Sequence, residues 1–107
     1  MRILLDESLP RKLKQDFPEE REVFTVRDKG WLGQKNGALL KLMLDEGFEL
    51  FVTVDRNLPY QQNTEILSLT IVILCAVNNR LDTLRPLIPK MFARLVEENL
   101  QNIFEVS

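Results

Sequence analysis

Short apolar runs alternate along this chain with stretches whose apolar positions recur every three or four residues, a pattern that predicts strands separated by helices. Arg2-Ile3-Leu4-Leu5, stopped by Asp6-Glu7, reads as a strand buried on both faces. Ser8 is placed to cap a helix that opens at Pro10 and is ended by Pro18, with Leu9, Leu13 and Phe17 on one face. Glu22 to Val26 predicts a second strand. Arg27 to Lys35, with Gly30 and Gly33, has no period and reads as a loop. A helix is expected from Asn36 to Glu46, capped by Asn36, with Leu39, Leu40, Met43 and Leu44 on one face and Gly47 as its terminator. Glu49 to Val54 predicts a third strand halted at Asp55. Residues 56 to 68, which contain Pro59, predict a turn and a short helix. Leu69 to Ala76 is the most apolar stretch and is expected to be a central strand. After Asn78-Asn79 a helix, irregular near Pro86 and Pro89, should run to about Asn99, and Ile103 to Val106 is expected as a final edge strand. The whole pattern predicts an α/β fold in which helices cover a mostly parallel central sheet of four to five strands, with right-handed crossovers.

Composition narrows the class. At 107 residues the chain is sized for one domain, residues 1–107, and 45% hydrophobic with 28% charged residues is ordinary globular composition. No repeat or linker divides it. One cysteine, Cys75, excludes an internal disulfide, and with no signal-like or membrane-spanning segment the cytoplasm is the expected compartment. A net charge of −2 argues against a nucleic-acid coat protein. The charge is uneven, however: residues 1–41 hold nine Lys or Arg against seven Asp or Glu, and residues 42–107 five against nine. The complete absence of histidine excludes imidazole acid–base catalysis, histidine-ligated zinc and histidine-dependent triads.

The candidate chemistry is therefore acidic. Ligands of open parallel sheets bind beyond the carboxyl ends of strands, and two strands here end in an acid at that edge, at Asp6 and Asp55. Glu7 follows the first, Asn57 lies just past the second, and Asn36 opens a helix. Oxygen donors without imidazole or thiol suit a hard cation, Mg2+ or Mn2+, which can polarise a phosphate and activate water. The structural alternative is that each acid simply caps a turn or a following helix. The metal reading requires the two aspartates to converge with their oxygens open.

Three segments resemble small stand-alone PIN-like domains. Leu4-Leu5-Asp6-Glu7-Ser8-Leu9-Pro10 is similar to their opening "LLDENLP", Val52-Thr53-Val54-Asp55-Arg56-Asn57 to their "VTADRN" or "TxDxD" segment, and Lys35-Asn36-Gly37-Ala38-Leu39-Leu40 to the helix opening between them. The resemblance covers almost the whole chain. It implies a PIN-like, Rossmann-like three-layer fold and a metal-dependent ribonuclease of the kind encoded as a toxin beside a cognate antitoxin, with a homodimer as the expected assembly. Position by position, it implies that Asp6 and Asp55 are catalytic metal ligands, with Glu7, Asn36 and Asn57 around them. Asn36 and Asn57 stand where many relatives carry acids, and Ala38 where close relatives often carry Glu. Neutral donors lower the site's negative charge and its Mg2+ affinity, which opens a second reading: a weakened or silent PIN-like module acting through protein binding.

Against an RNA substrate, Arg56, Arg11, Lys12 and Lys35 are the candidate phosphate contacts, with Lys14, Arg27 and Lys29 further possibilities and ordinary solvated surface the alternative for each. Trp31 either stacks on a base or closes over a sheet edge. Tyr60, Gln61 and Gln62 could flank the cleft. Cys75, Met43, Met91 and Phe92 read as core or interface. A receiver-type phosphoacceptor domain is a third reading: Asp6-Glu7 and Asp55 match its acids, but Ala76 and Val77 stand where it needs a hydroxyl, and no lysine occurs beyond Lys90.

Overall fold

The computed structural model describes residues 2–58, 69–97 and 103–107. Five strands, β1 (Arg2–Leu5), β2 (Glu22–Thr25), β3 (Leu50–Thr53), β4 (Thr70–Leu74) and β5 (Ile103–Val106), form one sheet in the order β2-β1-β3-β4-β5. Every neighbouring pair is parallel, with Leu5 opposite Thr25 on one side and Val52 on the other. The sheet is thus wholly parallel, where the sequence pattern predicts a mostly parallel one, and the architecture is compatible with a Rossmann-like fold. The chain steps from β1 to β2 on one side and then returns to place β3 on the other, so the topological switch lies between β1 and β3.

Both faces of the sheet are covered, which is why the inner strands β1, β3 and β4 are almost continuously apolar, while the edge strands β2 and β5 alternate. On one face Ile3, Leu5, Leu50, Val52, Val72 and Leu74 meet Leu9, Leu13 and Phe17 and the later helices through Leu84, Leu87, Ile88 and Met91. On the other, Leu4, Phe51, Ile71 and Ile73 meet Leu39, Leu40 and Met43 of α1 (Asn36–Asp45), with Phe48 and Leu58. Three layers result.

The helices depart from the sequence expectation in detail. The segment after β1 is a 3-10 helix, Arg11–Asp16, held by i to i+3 bonds such as Leu13 N to the Pro10 carbonyl at 3.0 Å. Between Pro10 and Pro18 there is little room to accumulate the i to i+4 bonds that favour an α-helix. Pro10 holds the N-cap position and Ser8 does not cap it; its hydroxyl bonds Asp6 instead. Likewise Lys35, not Asn36, is the N-cap of α1, and Asn36 is its first helical residue. Gly47 follows that helix with φ +76°, a left-handed terminator as expected. The last helical region is two helices, α2 (Leu81–Leu84) and α3 (Leu87–Glu97), divided at Arg85-Pro86, while Pro89 fits within the first turn of α3. β4 is shorter than predicted, ending at Leu74. The short helix expected within residues 56–68 falls largely outside the described residues, as do Pro59, Tyr60, Gln61 and Gln62. Among the described residues no helix is long and apolar enough to cross a membrane.

Candidate functional site at the carboxyl ends of β1 and β3

Asp6 and Asp55 follow the two strands that flank the switch point. Asp6 continues the pairing of β1 with β3, its N–H donating to the Val52 carbonyl at 3.0 Å. Its own carbonyl accepts from Leu9 N at 3.0 Å and closes the turn that leads into the 3-10 helix. Asp55 closes the corresponding turn after β3, its Oδ1 accepting from Asn57 N at 2.9 Å.

A buried hydroxyl connects the two turns. Thr53, the last residue of β3, has 0% exposure. Its Oγ1 donates to Asp6 Oδ2 at 2.7 Å and accepts from Asp55 N at 3.1 Å. A hydroxyl has one proton and two lone pairs, so both roles are filled at once without competition. Sequence reading passed over Thr53; the signal was a single hydroxyl residue inside an otherwise apolar strand.

Asp6 is not an open carboxylate. Oδ1 accepts from Glu7 N at 2.8 Å, and Oδ2 accepts both Ser8 Oγ at 2.9 Å and Thr53 Oγ1. A carboxylate has about four acceptor directions, so three are used internally. This is the turn-capping arrangement that the sequence admits as an alternative. Two of the three donors are hydroxyls that can rotate away, and exchanging either for a cation leaves the backbone where it is. Among the described residues no group of three His, Cys, Asp or Glu side chains gathers where it could hold a metal. The donor set is two half-buried aspartates with exposed Glu7 and Asn57 beside them. Mg2+ is commonly held by one or two carboxylates with water and substrate phosphate filling the remaining positions, so this set fits such an ion in chemistry. Asn36 reaches the same edge through the backbone, since α1 starts there to return the chain to β3.

The basic residues separate into two groups. Arg11, Lys12, Lys35 and Arg56 are exposed and make no ion pair with a described residue. Lys14 and Lys29 are committed, to Asp28 at 3.0 Å and Glu46 at 2.9 Å. Asp28 belongs to a reciprocal turn beyond β2: its Oδ2 accepts from Thr25 N at 2.9 Å while its own N–H donates to Thr25 Oγ1 at 3.0 Å. The Thr25 N–H, then the Lys14 ammonium, hold the Asp28 carboxyl below its ordinary pKa.

Trp31 closes a sheet edge. It is half-buried, edge-on to Phe48 with centroids 5.9 Å apart, and Phe48 in turn meets Phe24 at 5.7 Å. The Arg2 guanidinium lies 4.6 Å from the Phe48 centroid, and the Lys29 ammonium 5.4 Å from that of Trp31. Cys75 lies just past β4, partly buried against the core.

Comparison of the chain with protein-family models, with curated proteins and with solved structures finds no match.

Proposed function

We propose that this protein is a PIN-like ribonuclease that hydrolyses RNA phosphodiesters at an acidic Mg2+ or Mn2+ site, acting in the cytoplasm as the toxin of a toxin–antitoxin pair. The supporting observation is the Thr53 hydroxyl, which ties Asp6 and Asp55 together at the switch point of a parallel sheet, where ligands of such sheets bind. The resemblance of the segments around Asp6, Asn36 and Asp55 to PIN-like domains supplies the substrate class.

In this reading Asp6 and Asp55 hold the ion, with exposed Glu7 and Asn57 beside them and Asn36 the further ligand that the resemblance implies. Such an ion, when bound, polarises a phosphate oxygen and lowers the pKa of water. Thr53 orients Asp6 Oδ2, and the Asn57 N–H orients Asp55 Oδ1, so neither carboxylate has to be ordered when substrate arrives. Arg56, exposed and directly after Asp55, is placed to take a phosphate.

The test is cleavage of RNA with and without Mg2+ by wild type, Asp6→Asn and Asp55→Asn. The expected result is metal-dependent cleavage lost in both variants. Cleavage of equal rate in all three proteins would refute the proposal.

A second reading has its own support. The three internal hydrogen bonds on Asp6 and the neutral Asn57 suit a catalytically silent module that acts by binding a partner protein. Calorimetry separates the two: absence of Mg2+ and Mn2+ binding favours the silent module. The receiver reading gains from the strand order, which is that of flavodoxin-like sheets. It loses more at the end of β4, where Cys75, Ala76 and Val77 offer no hydroxyl. Acyl-phosphate labelling of Asp55 would revive it.

A further inference from the structure

Six cations that make no ion pair with a described residue lie in the connections that follow the carboxyl ends of the strands. Arg11 and Lys12 follow β1, Arg27 follows β2, Lys35 immediately precedes α1, Arg56 follows β3 and Arg80 follows β4. All six are exposed, and none is in an ion pair with a described residue. Each lies in a connection leaving the carboxyl end of a strand. The other cations are mostly engaged, including Lys14 and Lys29 in those same connections: Arg2, Lys14, Lys29 and Arg85 sit in ion pairs, Lys90 and Arg94 donate to backbone carbonyls near the end of β5, and Arg21 lies over Phe92. Lys41, exposed on α1, makes no ion pair with a described residue and sits within a helix rather than close to the end of a strand. These six flank the acids Asp6, Glu7 and Asp55, and with no acid of the described residues paired to them they are the groups there that can meet an anionic ligand.

The size of the track defines that ligand. From β2 to β4 is three strand spacings, about 14 Å at roughly 4.8 Å each. A single phosphate covers only part of that distance; a chain of linked phosphates covers all of it. One end of the track has a seat. An open cleft of about 620 Å³ lies between the 3-10 helix and α2, bordered by Pro10, Arg11, Lys12, Gln15 and Leu81, with no acid in its lining. Arg80 directly precedes Leu81, and its backbone is held by a turn in which Arg80 N donates to Asn78 Oδ1 at 2.9 Å.

We infer that an oligonucleotide strand crosses this edge, its phosphates running from the β2 side past Asp6 and Asp55 into the cleft between the 3-10 helix and α2, with Arg80 a binding residue there. The inference deepens the hydrolase reading, on which it rests for the identity of the reacting bond, but binding itself requires no metal.

The experiment is fluorescence anisotropy of a labelled single-stranded oligoribonucleotide with the full chain in EDTA, over a range of salt concentrations. Wild type binds, and Arg80→Ala and Arg11→Ala each weaken binding and reduce the log–log salt slope by about 0.7, the loss of one phosphate contact on a single strand. Lys41→Ala leaves both unchanged. No binding by wild type, unchanged binding in both arginine variants, or competition by inorganic phosphate as effective as by unlabelled oligomer would each overturn the inference. Retained binding in EDTA with no Mg2+-dependent cleavage would instead remove the hydrolase reading and leave this one standing.

Discussion

The Thr53 hydroxyl lies 2.7 Å from Asp6 Oδ2 across 47 residues of sequence, and it is the direct side-chain link between the ends of β1 and β3. Its second bond, from Asp55 N, makes it the hinge pin of the acidic pair. Replacing Thr53 with the near-isosteric Val keeps the shape and removes both bonds, leaving Asp6 Oδ2 with the Ser8 hydroxyl alone and taking from the Asp55 N–H its Thr53 acceptor. The expected cost is about 1–3 kcal/mol of stability, measured by urea denaturation, with weaker Mg2+ binding by calorimetry. Unchanged stability in Thr53→Val would show that the link contributes nothing.

Replacing the Asp6 carboxylate should carry a structural cost as well as a functional one. Asp6 accepts three hydrogen bonds, from Glu7 N, Ser8 Oγ and Thr53 Oγ1, and Asn at this position must present an NH2 in place of one acceptor oxygen. Asp6→Asn is expected to lose about 1 kcal/mol or more of stability besides losing metal binding. Thermal unfolding of the variant, beside a metal titration, checks this; unchanged stability contradicts it.

The Asp28 turn predicts a pH dependence. Its carboxyl is held below its ordinary pKa by the Thr25 N–H first and the Lys14 ammonium second. A lowered folded-state pKa means that the charged form stabilises the fold, fully above the unfolded value near 3.9 and less as pH falls through the folded value. The stability difference between wild type and Asp28→Asn should therefore be largest near neutral pH and shrink below about pH 4. A difference that stays constant from pH 7 to pH 3 would contradict this sign.

Trp31 offers a direct choice between stacking on a base and closing the sheet edge. Half-buried against Phe48, with Lys29 beside it, it is placed for the second role. Trp31→Leu should lower stability by about 1–3 kcal/mol through lost apolar burial and leave oligonucleotide binding in EDTA within a factor of about two. A large loss of binding with unchanged stability would reverse the assignment.

Phe51 in β3 is fully buried, with α1 and Leu58 on its face of the sheet. Phe51→Ala should cost about 3–5 kcal/mol, a large share of the stability of a domain this size. Its absence from the acidic edge makes it a useful contrast: activity per folded molecule should survive where the fold does.

Much of the fold is legible in the sequence because it depends on local pattern. Short runs rich in apolar or β-branched residues mark all five strands to within two residues at either end, and Leu39, Leu40 and Met43 mark the buried face of α1. Gly47 is readable as a terminator because its left-handed backbone penalises other residues. Boundaries were less legible where local signals compete. Ser8 is a good cap by residue type, but the nearby Asp6 carboxylate takes its hydroxyl. Lys14 and Lys29 look like free cations until Asp28 and Glu46, distant in sequence, come within reach.

Sequence alone determined that Asp6 and Asp55 end strands, since that requires only an apolar run and the acid that stops it. Only the tertiary structure decided that those strands are neighbours. Backbone hydrogen bonds are alike in every strand, so pairing order is set by how helices bury the two faces of the whole sheet, a long-range choice no short window contains. The same packing buried Thr53 between the acids, and so turned two separate turns into one connected edge.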